Sequence, residues 1–111
     1  MNFDSAPAQF EPEFKNVIRD LSMEITDGGD IILEADVIGC PVPVVEWYKD
    51  DSLVVSSHHF LPLSRGAVHT LTIVGATPED AGEYKCVATN ALGTKIRTYA
   101  VNIERKSKVS Q

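Results

Sequence analysis

Three histidines, two cysteines and two adjacent acidic pairs are the side chains of this sequence that could do chemistry. His58 and His59 stand side by side and His69 follows nearby, an arrangement that invites a metal reading. On a strand, successive side chains point to opposite faces, so His58 and His59 cannot both ligate one ion. They read instead as exposed histidines without a chemical role. Asp50 with Asp51 and Glu79 with Asp80 fall in turn-like sequence, where aspartate bonds its local backbone. A paired-carboxylate site would also need a cleft between them. Cys40 has no adjacent His, Lys or Arg to activate its thiol, and Cys86 lies in an apolar alternation where a thiol acts as a small hydrophobe. Two scattered cysteines are too few to hold a metal. There is no G-x-S-x-G, no phosphate-cradling glycine loop and no metal signature. No catalytic, cofactor-binding or metal-ligating residue is assigned, and the chain reads as a non-enzyme.

The bulk properties agree with one small domain. A chain of 111 residues can bury one core but not two. At 43% hydrophobic and 23% charged, it is ordinary for a soluble globular domain. A formal charge of −6 argues against nucleic acid and anionic membrane surfaces, which require a dense positive patch. No apolar run approaches the roughly 20 residues of a membrane helix. Residues 1–5 lack the basic start and apolar stretch of a signal peptide.

Residues 80–86, Asp-Ala-Gly-Glu-Tyr-Lys-Cys, organise the rest. They combine a turn with a tyrosine two residues before a cysteine. They also open an alternation in which Tyr84, Cys86 and Ala88 share one face and Lys85, Val87 and Thr89 the other. Tyr84 fits a tyrosine corner, its hydroxyl bonded back to the preceding loop, and Trp47 in Val44-Val45-Glu46-Trp47-Tyr48-Lys49 fits the buried tryptophan packed against that cysteine. These features point to an immunoglobulin-like sandwich. The chain resembles the I-set immunoglobulin domains of titin, twitchin, obscurin and myosin light chain kinase over roughly residues 8–104. The resemblance is carried by Pro12-Glu13-Phe14, Gly39-x-Pro41-x-Pro43, Trp47-Tyr48-Lys49-Asp50, Leu71-x-Ile73, Asp80-x-Gly82-x-Tyr84-x-Cys86 and Asn90-Ala91-Leu92-Gly93. It implies an all-β, two-sheet Greek-key sandwich whose core includes Ala35, Trp47, Leu71, Ile73, Tyr84 and Cys86.

The sequence departs from the extracellular members in one informative place: Ala35 occupies the position where they carry the first disulfide cysteine. Cys40 lies five residues further on, in the expected loop after that strand, about 16 Å along the sheet at about 3.3 Å per residue. A disulfide needs Cα atoms within about 7 Å, so no Cys40–Cys86 bond is expected.

In chain order, residues 1–7 read as a loose lead-in. Phe10, Pro12 and Phe14 mark a first edge strand beginning near Ala8. Leu21, Met23 and Ile25 mark a second strand, ended by a turn at residues 26–29, in a region longer than the family spacing. Residues 31–38 alternate strictly, with Ala35 inward. Val45 and Trp47 face inward on the next strand, Asp50-Asp51-Ser52 turns the chain, and Leu53-Val54-Val55 forms a short strand. Phe60, Leu61 and Leu63 form another, followed by a turn at residues 64–66 and by Leu71 and Ile73 pointing to the core. A hairpin at residues 90–93 places Gly93 where positive φ is needed, and Tyr99, Val101 and Ile103 alternate inward on the last strand. Residues 105–111 read as a solvated basic linker.

The resemblance implies a non-catalytic interaction and spacer module in a tandem-array muscle or cytoskeletal scaffold, cytoplasmic and in the finer reading sarcomeric. An extracellular adhesion or receptor domain and a regulatory domain flanking a muscle-type kinase stay open beside it, and the flanking sequence of the parent would separate the three. The missing disulfide partner and the absence of an N-x-S/T sequon at Asn2, Asn16, Asn90 and Asn102 favour a reducing compartment. The expected partners are proteins and neighbouring domains of the same chain, with no nucleic acid and no membrane, and the isolated domain is expected to be a monomer. The expected contact regions are the edges at residues 8–26 and 94–104 and the loop ends at residues 40–43 and 90–93, with no small-molecule pocket. Purified without reductant and then denatured, the protein should titrate two thiols per chain with a thiol reagent; a count of zero would refute the free-cysteine assignment.

Overall fold

The computed structural model describes residues 8–15, 22–26 and 28–104. The expected lead-in at residues 1–7, the tail at residues 105–111 and Leu21 lie outside the described residues. Among the described residues nine strands follow in order: β1 Phe10–Phe14, β2 Ser22–Thr26, β3 Ile31–Cys40, β4 Val44–Lys49, β5 Ser52–Leu53, β6 Phe60–Arg65, β7 Val68–Ile73, β8 Gly82–Asn90 and β9 Gly93–Glu104. A 3₁₀ turn, Pro78–Asp80, precedes β8.

Period-two alternation decides which face of each strand is buried. On β3, Ile31, Leu33, Ala35 and Val37 are buried while Ile32 and Glu34 face solvent. The strands form a four-stranded sheet, β1-β3-β7-β6, and a five-stranded sheet, β2-β9-β8-β4-β5. All pairings are antiparallel except β2 with β9, which run parallel from Ser22↔Ala100 to Thr26↔Glu104. The chain thus begins in one sheet and crosses to the other before β3, and the two sheets pack as a sandwich.

The core lies between them. Leu71 and Ile73 of β7 pair with Leu33 and Ile31 of β3 from one side, and Trp47 pairs with Cys86 on the other. Ala35, Trp47, Leu71, Ile73, Tyr84 and Cys86 are all buried, as are Ala88, Tyr99 and Val101. The Trp47 and Tyr99 rings pack with centroids 5.7 Å apart. Both cysteines are free.

Three local expectations need correction. β3 continues through Cys40, which pairs with Phe10, so Cys40 closes a strand instead of lying in a loop; the pairing with β1 extends it. β5 is Ser52–Leu53 alone, because after Val54 N donates to Trp47 O at 2.8 Å the chain leaves the edge and is turned by Ser57. The first strand starts at Phe10, not at Ala8.

Trp47→Ala should destabilise the domain by about 3 to 5 kcal/mol, as a large core truncation does, against a typical total of about 5 to 15 kcal/mol. A cooperative melt within a few degrees of wild type would contradict the burial of Trp47.

Candidate functional site

The histidines and acids do not converge. His58 is exposed. His59 is not simply solvated, contrary to the sequence reading: its Nε2 lies 3.0 Å from both carboxylate oxygens of Asp80, and Phe60 packs edge-on to its ring. Asp80 is itself buried. Its Oδ2 accepts from Thr77 N at 2.9 Å and closes the capping box of the 3₁₀ turn, while its carbonyl accepts from the Tyr84 hydroxyl at 2.6 Å. That last bond is the tyrosine corner. Burial pushes the Tyr84 hydroxyl well above the ordinary tyrosine range, so it stays a donor. His69 lies elsewhere, with Nδ1 2.8 Å from Ser64 Oγ, and burial lowers its pKa against the opposing pull of Asp36.

The acidic pair after β4 serves the backbone. Asp50 and Asp51 take positive φ, 48° and 70°. Asp50 Oδ1 accepts from Glu83 N at 3.0 Å, and this bond, with Lys49, holds its carboxyl below the ordinary range. Asp51 pairs with Lys85 at 2.8 Å. A Cβ on Gly82, where φ is 152°, would come within 2.7 Å of Asp50 Oδ2. Among the described residues no three of His, Cys, Asp and Glu come together as a metal site. Burial pushes the Cys86 thiol up to about 12, which leaves it protonated and inert at neutral pH.

What the fold does bring together is an end poor in net charge. The β3–β4 loop, the β6–β7 turn and the β8–β9 turn meet there beside Phe10. Residues 40–44, 66–67 and 90–93 contain no charged side chain, and the Glu11 carboxylate that lies against Gly93 is paired with Lys95 at 3.4 Å. Val42 is 84% exposed and Leu92 47%. Beside Val42 a groove of about 340 Å³ is lined by Phe10, Val37, Pro43 and Ala67 with His69 as its titratable member. Gly39 lets the loop fold over closely, since a Cβ there would meet Pro43 Cγ at 2.6 Å.

Asn90 holds this end in shape, a role that the sequence reading of a simple hairpin did not anticipate. Its Nδ2 donates to Phe10 O at 2.8 Å and to Pro41 O at 3.0 Å, and its Oδ1 accepts from Leu92 N at 2.8 Å. One amide side chain thereby ties β1, the β3–β4 loop and the β8–β9 turn together. The signal in the sequence was an asparagine opening a turn, where its side chain mimics a backbone turn. This Asx bond closes the turn without positive φ at Gly93, which corrects the expectation there; the left-handed glycines are Gly28, Gly66, Gly75 and Gly82.

The sheet edges differ in how open they are. Val74 N donates to His59 O, so residues 60, 62 and 64 aim their backbone groups away from β7. There Pro62 has no N–H and Phe60 O is taken by Ser57 N, which closes the β6 edge. On β1, Pro12 sits in the register shift between Phe10 and Glu13. β5 covers only two residues, whereas β2 offers five without proline.

Comparison with known proteins follows from this architecture. The family model described as Immunoglobulin I-set domain matches residues 12–103. The muscle M-line assembly protein unc-89 of Caenorhabditis elegans is 42% identical over 94 residues, covering 83% of this chain and 1% of that protein. Myopalladin of Mus musculus is 34% identical over 93 residues, covering 84% and 7%. Among solved structures, the titin domains z1z2 in complex with telethonin align with TM-score 0.82 at 33% identity, covering 90% of this chain and 50% of that one. The chain therefore spans a small part of the relatives it matches.

Asn90→Ala should cost about 1 to 2 kcal/mol through its lost hydrogen bonds and speed hydrogen exchange at the Leu92 amide. Unchanged exchange at Leu92 would show that Asn90 does not fasten this end.

Proposed function

This chain belongs to the immunoglobulin I-set domain family, and on that premise we propose that it is a non-catalytic protein–protein interaction and spacer module of a muscle or cytoskeletal scaffold. The observation that carries the reading is the rigidly tied end around Val42, Pro43 and Leu92, where aliphatic side chains are exposed and the one nearby carboxylate, Glu11, is paired with Lys95. A second negatively charged domain meets less like-charge repulsion there, and the exposed aliphatic side chains gain by leaving water. The end residues sit on the turns of two rigid sheets, so little ordering entropy opposes the contact. Relatives named for muscle M-line assembly and a titin structure carrying telethonin support a scaffold setting for this chain, cytoplasmic and sarcomeric.

In this reading neighbours dock at residues 40–44 and 90–93, and other proteins add at the open β2 edge beside β9. The reading extends to the whole core set, whose burial supports a rigid spacer.

The chain joined to the domain that precedes it in its parent should give amide shifts concentrated at residues 40–44 and 90–93 relative to the isolated domain. The pair of changes Val42→Asp and Leu92→Asp should abolish those shifts while preserving the melt. Shifts confined to the opposite end of the sandwich, around the Asp50–Asp51 turn, would count against the proposal.

A further inference from the structure

The groove at the loop end is lined by side chains that suit an aromatic ring. Val37, 3% exposed, carries the core up to it, and Phe10, Pro43, Ala67 and the half-buried His69 line it besides. Phe10 is 40% exposed although it pairs with Cys40 as the first residue of β1. The concavity, about 340 Å³, exceeds the roughly 150 Å³ in which an apolar cavity binds a benzene ring. His69 is the only titratable lining residue, and its Nδ1 is taken by Ser64 Oγ at 2.8 Å. A polar ligand finds little there to orient it, whereas an aromatic ring gains by leaving water against Phe10 and Pro43.

The chain carries such a ring within reach. Phe3 is the one aromatic residue of the stretch 1–7, and it stands seven residues before Phe10, which both opens β1 and lines the groove. At about 3.3 Å per residue the intervening chain spans about 23 Å when extended, so it has length enough to double back beyond the exposed Ala8 and Gln9. Closing so short a loop costs little, and a tether of this length holds its end at an effective concentration in the millimolar range, an advantage that an untethered partner lacks. Asn2 and Asp4, on either side of Phe3, are short and polar and can stay in water while the ring is inserted.

We propose that Phe3 docks its ring into this groove, which makes residues 1–7 an integral part of the domain instead of the loose lead-in that the sequence suggests. The contact is internal to this chain, so it can fail without touching the docking of a neighbour at residues 40–44 and 90–93.

The test is nuclear magnetic resonance on the full chain. The Phe3 ring protons should show Overhauser contacts to the methyl groups of Val37 and Ala67, and Phe3→Ser should shift the amides of Val37, Gly39, Ala67 and His69 while the melt stays cooperative. Phe3→Leu should leave those amides closer to their wild-type positions, since another large apolar side chain can enter. Ala67→Glu, at an exposed position, should abolish the contacts of the ring with Val37 and preserve the melt. Added to the Phe3→Ser variant at millimolar concentration, N-acetyl-phenylalanine amide should shift the same groove amides. No contact between the ring and the groove, with unchanged groove amides in Phe3→Ser, would overturn the proposal. So would contacts that put the ring on another part of the sandwich. Groove shifts that depend on protein concentration and vanish in Phe3→Ser would overturn it too, by assigning the ring to the groove of a second copy of this chain.

Discussion

The hydroxyl of Tyr99 on β9 donates to the carbonyl of Glu34 on β3 at 2.6 Å, a bond from one sheet to the other beside Ala35. Ala35 stands where extracellular members of the family place half of their covalent link between sheets, and here the sheets have no such link. What holds them is the buried layer between, with the Trp47 and Tyr99 rings at its centre and the Tyr99 hydroxyl fixing their relative position. Hydrophobic burial is non-directional, whereas a short hydrogen bond inside a low-dielectric layer is not, so Tyr99 supplies registration that packing alone leaves loose. Burial raises the Tyr99 hydroxyl far above neutral pH, which keeps the proton in that bond.

Much of this was legible in the sequence because it was local. The alternation of residues 31–38 announced β3, and the Tyr84 to Cys86 spacing announced the corner that Tyr84 makes with Asp80 O. The failures share a cause: partners far away in sequence. Cys40 belongs to a strand because Phe10 pairs with it, and His59 is half-buried because Asp80 lies beside it, 21 residues on. Asn90 reaches Phe10, 80 residues back, and no pattern within the hairpin encodes that reach. Gly93 was misread since a turn can close through a side-chain amide as well as through left-handed backbone. Ile32, Leu61 and Leu63 looked unremarkable singly, and only the register of three strands places them on one outward face of the sheet.

The surface divides into regions of different chemistry. The loop end exposes aliphatic side chains and is shaped by Asn90, while the acids near the opposite end are committed to backbone amides and lysines. The β6 edge is closed to strand addition by Pro62, and β1 is interrupted by Pro12. Such closure is how β proteins avoid pairing with one another edge to edge, and it leaves faces and ends as the places where specificity can be built.

The parallel pairing of β2 with β9 has a consequence for the order in which the molecule can come into being. By the time Ile73 has been synthesised, every strand of the four-stranded sheet exists, and β3, β7 and β6 are near neighbours along the chain. β2 finds its partner only when Ala100 to Glu104 appear, 100 − 22 = 78 residues after Ser22. Closing so long a loop is slow, and until β8 and β9 are made, β4 with Trp47 is the main element of the second sheet available to cover the apolar inner face of the first. On the ribosome the nascent domain must therefore wait, half built, for its last strand, and the interval in which it is vulnerable is set by the speed of translation through β8 and β9.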